Sequence, residues 1–111
     1  MPTPSLLIGW TTVASREVAE TLAKTVVERG DALCVQIDGP VASYYRWHGK
    51  LDQAEEYRLT IKFLPQQQTS LEQGLLATHP YDTPEWVVVP CVHVGEKYLS
   101  WARASLQSDR F

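Results

Sequence analysis

The sequence predicts an α+β fold of order β-α-β-β-α-β with a long central hairpin and a short C-terminal helix, and three observations predict it. Apolar residues recur with a period of two in some segments and of about 3.6 in others. Glycine and proline fall between these segments, where turns are needed. A length of 111 residues suits one domain, residues 1–111, with no chain left for a second core. Hydrophobic residues make up 44%, enough for a globular interior. A domain of this size has modest stability unless subunit contacts add to it. The four Trp, five Tyr and two Phe therefore matter, because large aromatics are favoured at subunit interfaces.

Leu6, Leu7 and Ile8 open an apolar run to Thr11 and Thr12, the first strand. Ser15 reads as a helix N-cap, Val18, Ala19, Leu22, Ala23 and Val26 follow at helical spacing, and Gly30 supplies the stop. Ala32 to Ile37 is the second strand, with Leu33, Val35 and Ile37 on one face and Cys34 on the other. Gly39-Pro40 interrupts it. The chain resumes from Val41 to His48, turns at Gly49-Lys50 and returns through Tyr57, Leu59, Ile61 and Phe63 in strict alternation. A second helix carries Leu71, Leu75 and Leu76 and ends before Pro80. Trp86 to His93 is the last strand, with Pro90 placing part of it at an edge or bulge. Tyr98, Leu99, Trp101, Ala102 and Leu106 form the terminal helix. This order is the split βαβ pattern of ferredoxin-like folds.

Strands of about 8–11 residues on each side of the Gly49 turn exceed the usual length of about 5–6, so the hairpin should project beyond the sheet. Tyr44, Tyr45 and Trp47 lie on it. Unpaired strand edges and exposed rings are normally covered, and pairing with a neighbouring subunit would cover both.

The segments Ser43-Tyr44-Tyr45-Arg46-Trp47-His48-Gly49-Lys50, Ile61-Lys62, His79-Pro80-Tyr81-Asp82-Thr83-Pro84-Glu85 and Tyr98-Leu99-Ser100-Trp101 together resemble the CutA divalent-cation-tolerance family. The likeness runs from Thr11-Thr12 through Ala32-Leu33-Cys34-Val35 to Trp101. It implies a ferredoxin-like subunit in a tight homotrimer with interlocked hairpins, similar to the PII signalling proteins. It also implies an association with tolerance of copper and other divalent metals, none of them required for folding.

The loop from His79 to Glu85 gathers an imidazole, a phenol and two carboxylates. Cu(II) and Zn(II) take imidazole nitrogen and carboxylate oxygen, so His79 and Glu85 are candidate ligands, with Cys34 as a third. A plain structural reading stands beside this one: His79 bonds a backbone carbonyl, Tyr81 packs and Glu85 faces solvent. In some relatives the metal assignment draws on a Cys near the end of the first strand and a His just before the H-P-Y segment. Thr11 and Thr78 stand there in this chain. Cys34 also reads as a small core residue, and His48 and His93 carry no ligand spacing. Trp47 and Trp101, with Tyr44, Tyr45, Tyr81 and Lys62, are candidates for the subunit interface or for a small-molecule pocket within it. Glu55, Glu56, Arg58 and Lys62 read as a solvated or cross-strand paired surface.

A net charge of −3 with no Lys/Arg cluster excludes the electrostatic footprint of a nucleic-acid or anionic-membrane binder. No leader or membrane span is expected, which places the protein in the cytoplasm with Cys34 and Cys91 reduced. Neither a G-x-S-x-G elbow nor a phosphate-binding G-x-x-x-x-G-K-[ST] loop is present, and the chain has no Asn to position water as acylphosphatase does. A binding or regulatory module is expected, not an enzyme. Its partners are its own copies and, in a PII-like signalling role, an unidentified protein.

Overall fold

The computed structural model describes residues 3–108. Its order is β1 (Leu7–Val13), α1 (Arg16–Glu28), β2 (Cys34–Trp47), β3 (Lys50–Phe63), α2 (Gln68–Thr78), β4 (Val87–Pro90) and α3 (Glu96–Ser108). The four strands form one antiparallel sheet in the order β2-β3-β1-β4, the expected ferredoxin-like arrangement.

Local chemistry explains the boundaries. The Ser15 hydroxyl caps α1 by accepting the Val18 N–H at 3.2 Å. Ala19, Leu22 and Val26 then fall on one face at spacings of three and four and are buried. Gly30 leaves the helix at φ +76, a conformation that costs glycine little. A 3₁₀ turn, Pro65–Gln67, leads into α2. There the buried Gln67 accepts the Leu64 N–H at 2.8 Å and donates to the Gly30 carbonyl at 3.0 Å. Ahead of Pro80, His79 is extended, at φ −65 and ψ 133, so α2 ends at Thr78.

The main core lies between one face of the sheet and helices α1 and α2. Leu7, Val13, Leu59, Ile61 and Phe63 meet Ala19, Leu22, Val26, Leu71 and Leu75 there. A second cluster of Leu6, Leu33, Leu64 and Ala102 is closed by Cys34, Cys91, Val94, Leu99 and Leu106, which fixes α3 at one end of the sheet. Ile8, Trp10, Val87 and Val89 lie on the opposite side of the sheet from the main core and belong to neither cluster.

Four details differ from expectation. Gly39-Pro40 does not divide β2, because a register shift between Asp38 and Val41 absorbs it as a bulge and pairing with β3 continues. The hairpin turn is His48-Gly49 and not Gly49-Lys50: Trp47 pairs with Lys50, and both turn residues have positive φ, 50 and 76. β4 stops at Pro90, which lacks a ladder donor, and does not reach His93. The terminal helix is not short; its 13 residues equal those of α1.

Candidate functional site

Two features stand out from the sheet, the hairpin arm and the loop that follows α2. β2 and β3 each run for 14 residues, but β1 pairs with β3 only as far as Val13 opposite Tyr57. Beyond that point β2 and β3 continue as a two-stranded arm. Its side chains are open: Tyr44 is 66% exposed, Trp47 57% and Leu51 80%. Tyr45 is exposed as well.

In the loop, His79 turns back under the sheet and is 8% exposed. Its Nε2 lies 3.1 Å from the Thr12 carbonyl oxygen and 3.1 Å from Thr11 Oγ1. A carbonyl only accepts, so Nε2 carries the proton and Nδ1 is the bare nitrogen. Nδ1 accepts the Tyr81 N–H at 3.1 Å. Burial lowers the imidazole's affinity for a proton, opposed by the Thr12 carbonyl and by Glu56. The Tyr81 hydroxyl donates to Glu56 Oε2 at 2.9 Å, and burial together with that carboxylate pushes the phenol up to about 12. Glu56 is thereby 9% exposed and is not the solvated residue expected from its neighbours.

Glu85 goes elsewhere. It is exposed and near Arg58, whose guanidinium already grips Asp38 across the strands at 2.7 and 3.3 Å. Asp38 chiefly, and Glu85 to a lesser degree, raise the proton affinity of Arg58. Cys34 is half-buried at the far end of β2, in the cluster beneath α3. Burial, then the Cys34 and Cys91 thiols, push the Tyr98 phenol up. Lys62 donates to Gln36 Oε1 at 3.3 Å and lies 5.7 Å from the Tyr98 ring centre, and Tyr98 contacts Trp101.

His79, Glu85 and Cys34 are therefore not brought together within a subunit. Both nitrogens of His79 are committed to hydrogen bonds, so no lone pair faces outward to a cation. Among the described residues no three His, Cys, Asp or Glu side chains gather into a ligand set. Among the described residues, the donors of one subunit do not fit a bound transition metal. The plain reading of His79, a bond to a backbone carbonyl, is the one the geometry shows. Sequence reasoning missed Thr12 and Glu56, because a main-chain acceptor has no side-chain signature and Glu56 is buried only by a loop 25 residues away.

Fold and arm define a class: a ferredoxin-like domain with a projecting aromatic hairpin. A family model described as "CutA1 divalent ion tolerance protein" matches residues 7–105. The chain belongs to this family. A divalent-cation tolerance protein CutA from Thermus thermophilus is 39% identical over 92 residues, covering 83% of this chain and 89% of that protein. The structure of CutA from Synechococcus elongatus matches with a TM-score of 0.88 at 36% identity over 96% of this chain and 94% of that one. A second structure from that organism, described as complexed with a Bis-Tris molecule, has a TM-score of 0.84 at 34% identity and covers 95% and 97%. A relative from Archaeoglobus fulgidus, described as a periplasmic divalent cation tolerance protein, has a TM-score of 0.85 at 28% identity, with 91% and 98% covered.

Proposed function

We propose that the protein acts in divalent-cation tolerance as a homotrimer whose arms clasp neighbouring subunits, with weak binding of copper or another divalent cation by donors from more than one subunit. The observation that carries this reading is the arm. Its two strands leave β1 with Tyr44, Trp47 and Leu51 exposed, and natural proteins cover such edges and rings. The half-buried sheet face around Ile8, Trp10 and Val89, with Val87 exposed beside it, offers a second surface for a neighbour. Three is the number that the family resemblance implies. No catalytic role is part of this reading; the family is named for tolerance and not for a reaction. We place the protein in the cytoplasm, where the free thiols of Cys34 and Cys91 stay reduced.

Light scattering at micromolar concentration tests the assembly, with a mass three times the 12.5 kDa subunit expected. A lone subunit would refute it. Calorimetric titration with Zn(II) and Cu(II) tests the cation. Weak binding that weakens further in Glu85→Ala but not in His79→Ala is expected, since only Glu85 is exposed.

A second reading, a PII-like module that binds a small molecule between subunits and signals to a partner protein, is favoured by the Bis-Tris complex of the Synechococcus elongatus relative. Trp47 sits at the arm tip, while Trp101 lies on the helix packed near Cys34 at the other end of β2. At ~3.3 Å per residue, the 14 residues of β2 separate these ends by about 43 Å, so both rings line one pocket only if they come from different subunits. A rise in melting temperature with a metabolite or nucleotide, absent in Trp101→Ala, would support this reading over the first.

A further inference from the structure

Glu56 occupies a particular place in the register. β1 pairs with β3 from Leu7↔Phe63 to Val13↔Tyr57, so Glu56 is the first β3 residue without a partner on that side. On its other side it pairs with Val41, where β2 resumes after the bulge. Glu56 thus marks the fulcrum at which the arm leaves the sheet. The bulge packs closely on the same spot: Gly39 has φ +148, and a Cβ there would come within 2.8 Å of the Tyr57 ring and 2.9 Å of the Glu56 carbonyl oxygen.

A carboxylate at the edge of a two-stranded arm would ordinarily reach water. Here it is 9% exposed and accepts the Tyr81 hydroxyl at 2.9 Å. Tyr81 is itself placed by His79, through the N–H bond to Nδ1 at 3.1 Å and an edge-on ring contact at 5.0 Å. His79 in turn is fastened to Thr11 and Thr12 near the end of β1. A continuous chain of hydrogen bonds therefore runs from the end of β1, through the loop, to the base of the arm. The arm itself has only its own two strands to hold its direction, and a two-stranded ribbon twists easily.

We infer that His79, Tyr81 and Glu56 form a brace that sets the angle of the arm, and through it the geometry in which arms of neighbouring subunits meet. The second clause rests on the assembly proposed above; the brace itself does not. His79 and Tyr81 act here as positioning residues. In this role the H-P-Y segment serves the arm, which accounts for an imidazole with both nitrogens committed.

Amide hydrogen exchange resolved by residue tests the brace. Tyr81→Phe keeps the ring and its contact with His79 but removes the donor; Glu56→Ala removes the acceptor; Glu56→Gln keeps one. Exchange across residues 41–55 is expected to quicken about tenfold in Tyr81→Phe and in Glu56→Ala, with no further gain in the double variant. Glu56→Gln should stay near the parent protein, and amides of α1 should be unchanged in all four. An equal rise in α1 and the arm, an unchanged arm, or Glu56→Gln behaving as Glu56→Ala would overturn the inference. Light scattering on the same samples reports the oligomer separately, so a monomeric parent would sink the assembly while leaving the brace to be judged by the exchange pattern.

Discussion

Gly9→Ala separates packing from propensity, because the two predict opposite signs. Gly9 lies in β1, where alanine is favoured over glycine by about 0.5–1 kcal/mol on backbone entropy. Its missing side chain, however, is space already filled by the Trp86 indole, and a Cβ would overlap the six-membered ring. Trp86 cannot yield freely. It stacks on Phe63 with ring centres 6.2 Å apart, and its Nε1–H donates to Glu72 Oε2 at 2.9 Å. Overpacking a fitted interior costs about 1–3 kcal/mol, and losing a hydrogen bond to a carboxylate about 1.5–3 kcal/mol. Allowing for the backbone gain and partial relaxation, a net loss of about 2–4 kcal/mol per subunit is expected. Urea unfolding followed by tryptophan fluorescence measures it, at one fixed protein concentration because an oligomer's stability depends on concentration. The same substitution in a Trp86→Leu background should be neutral or stabilising, a coupling of at least about 2 kcal/mol. A Gly9→Ala protein as stable as its parent would refute the packing account.

Acid should weaken the fold through His79. Its folded affinity for protons is below the ordinary value of 6.5, so its contribution is complete above that pH and is lost as pH falls below 6.5 towards the folded value. The slope in that window should reach at most about 1.4 kcal/mol per pH unit and disappear in His79→Gln, as followed by chemical unfolding across the range. At the arm tip, His48 holds φ +50 without being glycine, and Asn is preferred ahead of Gly in such a turn. His48→Asn should therefore stabilise the hairpin by about 0.5–1 kcal/mol, read as a higher urea midpoint with an unchanged slope.

Much of the fold was legible in the residues. Ser15 and Gly30 bracket α1 as read, Pro80 ends α2, and the alternation Tyr57, Leu59, Ile61, Phe63 lines the core as read. These signals are local: a cap, a left-handed glycine or a period of two acts within a few residues. The candidate site was legible only in part. His79 makes the backbone hydrogen bond of the plain reading, and among the described residues it is not grouped with Glu85 and Cys34 as the composition of the loop suggested. The loop sends His79 inward to β1 and Glu85 outward towards Arg58, and Cys34 lies at the opposite end of β2.

The sequence by itself determined the order of elements, the family, and an arm too long and too aromatic to be an ordinary hairpin. Tertiary structure alone decided that Gly39-Pro40 becomes a bulge inside one strand, that Glu56 is buried, and that His79 has no nitrogen to spare. The reason is one of range. Backbone preferences are written in neighbouring residues, whereas the partner of a hydrogen bond across 25 or 67 positions is chosen by how strands and loops come to lie against one another.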